Sequence, residues 1–334
     1  MKKIIALILA LVLCFGLCAC GEKGKAYKQA VYNLESIIEY TCLGYTKSEL
    51  NEQHRLENDI EVYEYMNLPD LYQRFFELGN YKESKEILSR FSIVENGFVT
   101  VKGNSVDAFG QEQSHEVGAV LIDAQGCVAV RFTSLGTGTL YVYDEQGNIV
   151  REGNDLIHKY NDRGERIETD LFSYRYEGLE SVINYSYDAQ GNCVEAKIQY
   201  ADGTTETLTF TYKYDEQGNC IEKVICSDIS DDPCTINYTY IMDEQGNCLF
   251  KFSATNNASV DYNEYYDPWL TAYDKTGKVV FITTLGYDLN FEISDYKYEN
   301  GMPVSITFAD GTEYTFEYSS AYFFNVEGFE LPEV

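Results

Sequence analysis

The chain has 334 residues, with 54 acidic against 25 basic side chains and a formal charge of −29 at pH 7. So acidic a surface disfavours nucleic acid and anionic lipid headgroups as partners, and it keeps a strand-rich chain soluble. There is no Asp-x-Asp-x-Asp-Gly loop to turn that charge into a calcium site.

Lys2 and Lys3 precede an apolar run from Ile4 to Leu13, and the stretch closes on Leu17-Cys18-Ala19-Cys20-Gly21. The order of charge then apolar run is that of a secretion signal, and the run is too short to span a bilayer comfortably. Leu17 at −3, Ala19 at −1 and Cys20 at +1 resemble a bacterial lipobox, which implies cleavage before Cys20 and diacylation of its thiol. Buried acyl methylenes contribute roughly 0.8 kcal/mol each, and two chains on one residue give stable anchoring. Residues 1–19 are read as a signal peptide and 20–24 as a lipidated anchor with a short linker. The expected location is extracytoplasmic, on the bacterial cell membrane.

Residues 25–92 read as helical. Ala26, Ala30, Val31, Leu34, Ile37 and Ile38 recur at helical spacing, and Thr46-Lys47-Ser48-Glu49 has the form of a capping box for a second segment toward Met66. Pro69 permits a further helix start, and Asn80 to Glu83 read as the cap of the next helix after the turn Leu78-Gly79-Asn80. The stretch from Leu68 to Phe91 resembles a tetratricopeptide hairpin, with Tyr81, Ser84 and Leu88 in second-helix positions. The resemblance covers about one unit, where a solenoid needs at least three.

Residues 93–334 read as strands. Asn96-Gly97 is a hairpin signal, and Lys102 to Glu116 is polar enough for a loop. Near-copies of one motif then recur: YVYDEQGNI from Tyr141, YSYDAQGNC from Tyr185, YKYDEQGNC from Tyr212 and YTYIMDEQGNC from Tyr238, with looser YNDRGE from Tyr160, YDKTG from Tyr273 and YKYENG from Tyr296. Motif glycines are spaced by 27, 27, 28 and 31 residues from Gly164 to Gly277, so one supersecondary unit repeats. Tyr-x-Tyr alternates like a half-buried strand. Asp-x-x-Gly suits a type I turn in which Asp bonds its own backbone and Gly takes the left-handed position. Each repeat is two strands, with a dry face carrying Val194, Ala196, Ile198, Leu208, Phe210 and Tyr212, and a wet face carrying Glu195, Lys197, Thr209 and Lys213. A dry face must be covered, so the sheet curls or folds onto a second sheet.

Tyr-Asp-x-x-Gly-Asn followed by a strand resembles the YD repeat of the RHS-repeat family, over roughly residues 121–318. The copies from Tyr185 to Leu249 are the closest. Family members often carry Gly-Arg where this chain has Gly-Asn, and the corners at Gly126, Gly164 and Gly277 have drifted in sequence. The resemblance implies consecutive antiparallel hairpins in a cell-surface or secreted protein. The expected fold is therefore mainly β, a curled sheet or sandwich of antiparallel hairpin repeats behind a small helical segment.

No catalytic, metal or cofactor motif is present. His54, His115 and His158 lie in different segments, and acidic pairs such as Asp202 with Glu206 are unavoidable among so many acids. Cys193, Cys220 and Cys248 share one repeat position two strands apart, beyond disulfide reach; Cys226 and Cys234 flank one hairpin loop and could bridge. Tyrosines at alternating strand positions are core residues, whereas Tyr262, Tyr265, Tyr266 and Trp269, where the period lengthens, are the candidate exposed aromatic contacts. The functional expectation is a non-catalytic surface lipoprotein presenting an interaction or scaffolding surface to an unidentified protein or glycan. The alternative is a glycan-binding or carboxylate-based glycan-hydrolysing lipoprotein.

Overall fold

The computed structural model describes residues 21–35, 60–61, 67–106, 112–133, 137–153, 155–173, 178–255, 269–284, 292–325 and 332. Cys20, the leader and the Thr46–Glu49 capping box lie outside them. The described residues form two compact units, one of those up to Ile93 together with those from Tyr322 on, the other Val94–Ala321.

The first unit holds helices α1 (residues 21–35), α2 (Leu68–Leu78) and α3 (Ser84–Ser89). Helical spacing gathers Tyr27, Ala30, Val31 and Leu34 on one face, and these are buried along with Leu71, Phe75 and Ile87. The Tyr27 ring meets Phe75 and Tyr81 edge-on, and its hydroxyl donates to Glu83 at 2.5 Å. Pro69 stands in the first turn of α2, and Gly79 ends it at φ 62°. Three expectations need correction. Residues 21–24 are helix, not linker. Asn80 to Glu83 are turns, with the helix beginning at Ser84. The segment 25–92 is also not all helical, since strand β1 (Ile60–Glu61) and the start of β2 at Phe91 fall inside it. Phe91 packs edge-on against Phe324, and Tyr72 touches Tyr322.

The remaining strands are β2 (Phe91–Val106), β3 (Glu112–Ile122), β4 (Val128–Thr133), β5 (Thr137–Tyr143), β6 (Ile149–Glu152) and β7 (Leu156–Tyr160). They continue as β8 (Arg166–Ser173), β9 (Gly178–Tyr187), β10 (Cys193–Tyr200), β11 (Thr205–Tyr214), β12 (Cys220–Ser227) and β13 (Cys234–Met242). The last are β14 (Cys248–Thr255), β15 (Trp269–Tyr273), β16 (Val279–Thr284), β17 (Ile293–Glu299), β18 (Met302–Phe308) and β19 (Glu313–Phe324). All join one antiparallel sheet of 19 strands, in which sequence neighbours pair as hairpins and β19 lies against β2. Two strands separate successive motif glycines, as the repeat spacing requires.

The corners are built alike. At Asp215 the carboxylate Oδ1 accepts the backbone N–H groups of Gln217 at 3.0 Å and Asn219 at 2.7 Å, while Oδ2 accepts the Asn219 side-chain amide at 2.8 Å. Gly218 donates to the Asp215 carbonyl and stands at φ 87°, the three-residue hairpin with a glycine bulge. The drifted corners keep this geometry: Asp123, Asn161 and Asp274 each accept the same two backbone N–H groups. YKYENG does not, because Asn300 and Gly301 both have positive φ between the paired Glu299 and Met302, a two-residue turn.

A second irregularity follows each corner: the register slips by one residue, as between Lys213 and Tyr214 opposite Glu222 and Cys220. A bulge interrupts the ladder, and at five of them a tyrosine of the next strand caps it. Tyr240 donates to the Cys220 carbonyl at 2.9 Å, Tyr212 to Cys193 at 2.7 Å, Tyr187 to Arg166 at 2.8 Å, Tyr160 to Ile149 at 2.8 Å and Tyr143 to Val128 at 2.8 Å. At these corners a motif tyrosine is a half-buried ring whose hydroxyl satisfies the bulge beside it.

Two readings at the start of the sheet are overturned. Asn96-Gly97 is no hairpin: β2 runs through it, and a Cβ on Gly97 would stand 2.9 Å from Ala321 Cβ and the Ile122 carbonyl. Lys102 to Glu116 is not one loop, since β2 and β3 stay paired from Val106 and Glu112 inward.

The single dry face also fails. Leu208, Phe210, Ile225, Cys234 and Ile236 share one face through cross-strand pairing and form a core with Ala196 and Ile198. On β14 the partners of Tyr238 and Tyr240 on that face are Ser253 and Lys251, so the buried Phe250 and Phe252 lie on the other. That second face of β14–β16 packs on Val99, Val101, Val120, Ile306, Phe308 and Phe316. A Cβ on Gly118 of β3 would come within 3.3 Å of Thr283 Oγ1 on β16. The sheet has curled back on itself.

Open space surrounds the Gly218 Cβ position, so Gly218→Val pays for backbone strain alone, about 1–3 kcal/mol. Asp215→Ala, which strips three hydrogen bonds, should destabilise by about 1–3 kcal/mol, whereas exposed Gln217→Ala should stay within about 0.5 kcal/mol. Chemical denaturation of the three variants checks the ordering.

A cationic, aromatic-lined candidate site

Where β14 changes its buried face, the first face is left with an unusual lining. Cross-strand pairing sets Lys223 beside Ile236, Tyr238 beside Ser253 and Trp269, and Lys251 beside Thr271, which in turn pairs with Ile282. These eight residues line a half-open cavity of about 310 Å³. Trp269 is fixed by its own backbone, whose N–H donates to Ser253 Oγ at 3.2 Å.

The cations here rest on rings. Lys223 Nζ lies 4.3 Å from the Phe210 centroid, and Lys251 Nζ lies 4.8 Å from Tyr238 and 5.8 Å from Tyr240. Arg131 on β4 stacks its guanidinium 4.5 Å from the Trp269 ring, and its buried Nε and Nη1 have no hydrogen-bond partner among the described residues. Burial lowers the Lys251 pKa, with the Cys220 and Cys248 sulfurs partly offsetting it. Ring contacts stabilise a desolvated cation by roughly 2 kcal/mol or somewhat more, well short of its hydration.

Of the aromatic residues singled out from sequence, Trp269 lies in this cavity; Tyr262, Tyr265 and Tyr266 lie outside the described residues. Lys223 and Lys251 were missed, although each follows its repeat cysteine, Cys220 or Cys248, by three positions. Arg131 carried no sequence signal.

The bridge between Cys226 and Cys234 is not formed. Cys234 is opposite Ile225 on the first face, while Cys226, opposite Thr209, points to the other; both are free thiols, as are Cys193, Cys220 and Cys248. Asp202 is tied to its own turn through Thr204. Glu206 is buried, accepting from Tyr200 at 2.8 Å and Ser227 at 2.5 Å. Among the described residues no three His, Cys, Asp or Glu side chains are grouped to hold a metal.

His158 is 3% exposed, with Nδ1 2.9 Å from Thr169 Oγ1, which itself accepts from Tyr185. Nε2 has no partner among the described residues. Burial first, and the Arg166 cation second, push its pKa down to about 3. The unfolded chain thus takes up a proton that the folded one refuses. The stability held above about pH 6.5 is lost as pH falls toward 3, by about 1.4 kcal/mol per unit from this group. Thermal melts of parent and His158→Phe from pH 7 to pH 4.5 should show the shallower fall in the variant.

No family model matches the sequence, and no curated protein does. Among solved structures, the crystal structure of TcdB2-TccC3-Cdc42 is similar at 14% identity and TM-score 0.21, covering 56% of this chain. The chain spans 12% of that one's length. A porin-like protein from Bacteroides vulgatus ATCC 8482 is similar at 12% identity and TM-score 0.24, over 66% of this chain and 97% of that one. A porin-like protein from Bacteroides uniformis ATCC 8492 gives 11% and 0.22, over 67% and 97%. With TM-scores below 0.25, the fold rests on this chain's own registers.

Proposed function

We propose that this is a lipid-tethered, extracytoplasmic protein that binds without catalysing: Cys20 anchors it, the repeat sheet is its frame, and the Trp269 cavity receives a ligand. The observation that carries the reading is the Lys251 ammonium, set over the Tyr238 ring in the lining of that cavity, on a strand face that is apolar elsewhere. A lysine ammonium drawn away from water toward rings is costly, and an incoming acceptor would relieve that cost. The cavity's volume lies at the lower end of small-molecule sites, about 300–1,000 Å³, which favours a small ligand or the end of a chain over a folded partner. The leader and the acidic surface support a life outside the cytoplasm, tethered to the membrane and without nucleic acid.

Two measurements test the two halves. Fatty-acid labelling should mark the parent and not Cys20→Ser; label retained by the variant, or absent from the parent, removes the anchor. A photoreactive residue at Thr271 should cross-link a ligand on intact cells, whereas one at Lys197, on the opposite sheet face, should not. Equal labelling from both positions removes the cavity.

A further inference from the structure

The lining of the cavity narrows the ligand, on the reading that the cavity binds one. Cross-strand register puts Tyr238, Ser253 and Trp269 in one row on the same face. The two rings stand two strands apart, roughly 10 Å, and the small serine between them leaves a gap that suits a thin, flat body. The neighbouring row along the strands places Lys251 beside Thr271, and Thr271 beside Ile282. One row is therefore aromatic and the next carries a cation.

Of the two lysines in the lining, Lys223 already has partners, the Phe210 ring among them. The Lys251 ammonium has the Tyr238 and Tyr240 rings. Among the described residues the groups that act on its charge are the Cys220 and Cys248 sulfurs, and no carboxylate is one of them. Arg131 is not part of the lining: it stacks on Trp269 from β4 and steadies that ring. A neutral aromatic molecule would fill the gap and leave Lys251 on its rings alone. An aliphatic acid or inorganic phosphate would pair with Lys251 and gain nothing from Trp269. Repulsion from the chain's acid excess of 29 grows with the charge of an anion, which favours a ligand with a single negative charge.

We infer that the cavity holds a small aromatic carboxylate, a monoanion of one or two fused rings, with its ring in the gap between Tyr238 and Trp269 and its carboxylate on the Lys251 ammonium and the Thr271 hydroxyl. Lys251 and Thr271 are cross-strand neighbours, with Cβ atoms about 5 Å apart, so each can take one carboxylate oxygen. Ile236 and Ile282 supply apolar contacts to the ring, and a volume of about 310 Å³ suits a molecule of this size.

Trp269 is the single tryptophan of the chain, so its emission reports on this cavity. The test is calorimetric titration of the full mature chain, with Trp269 emission followed in parallel, against phenylacetate, its neutral counterpart phenylacetamide, acetate and inorganic phosphate. Phenylacetate should shift the emission and bind at least about tenfold more tightly than each of the other three. Lys251→Met keeps the aliphatic stem and should weaken phenylacetate by about tenfold or more, while phenylacetamide stays within about twofold. Lys251→Arg keeps the charge and should hold the preference for the acid. Lys197→Met, on the opposite face, should change neither. Phenylacetamide binding as tightly as phenylacetate removes the carboxylate, and acetate or phosphate binding as tightly removes the ring; each result overturns the inference. So does silence of all four probes, or a folded Lys251→Met that keeps the parent's affinity for phenylacetate. The parent's ranking of the four probes decides the ligand class even where a variant fails to fold. The cavity as a ligand site stands or falls separately, on the cross-linking from Thr271 and Lys197.

Discussion

Everything in the sheet depends on a short-range bond, the carboxylate of a corner Asp accepting two of its own chain's backbone N–H groups. At Asp188, Asp215 and Asp243 the Asn side-chain amide first, and those backbone bonds after it, hold the carboxyl below the usual carboxylate range; at Asp144 burial pushes the other way and the same bonds outweigh it. They fix the loop length, and the loop length fixes the register of the strands on either side. The bulge that follows twists the sheet further, and the next tyrosine hydroxyl pays the hydrogen bond it interrupts. Asp, Gly and Tyr thus form one device rather than three separate preferences.

Twist accumulated over many hairpins brings distant strands together. Phe281 on β16 meets Phe316 on β19 with ring centroids 5.8 Å apart, and Phe252 on β14 meets Phe308 on β18 at 6.1 Å. A repeat array whose units touch only their neighbours would not make these contacts. Here the last repeats are buried on both faces, and their stability is tied to strands laid down near the start of the sheet.

That double burial also produces the candidate site. Once Phe250 and Phe252 face β18 and β19, Lys251 between them must point the other way, into the face occupied elsewhere by Leu208 and Phe210. A lysine on an apolar face is expensive unless its ammonium finds a ring or an anion. Tyr238 gives it a ring. The same logic holds for Arg131 against Trp269, a contact between β4 and β15 that only the curled sheet makes.

The corners and the two-strand unit were legible in the sequence because they are local: Asp-x-x-Gly and Tyr-x-Tyr contain their own hydrogen bonds and their own period. Even drifted copies at Asp123, Asn161 and Asp274 obeyed, since the backbone N–H groups they bind do not depend on side chains. Asn96-Gly97 misled because the positive φ that Asn96 adopts occurs here inside a strand and not in a turn. The polar stretch from Lys102 misled because the strand ladder is made of backbone hydrogen bonds, which polar residues supply as well as apolar ones. Trp269 stood out by rarity, but its partners did not. Whether Lys251 is a solvated lysine or the wall of a cavity turns on which face of β14 is buried, and alternation of Phe250, Lys251 and Phe252 fixes only that they differ. The local sequence thus determined turns, registers and the alternation of faces, through contacts a few residues apart. Which face lies inside, and hence which cations meet Trp269, was decided by the curl, through contacts between strands more than a hundred residues apart.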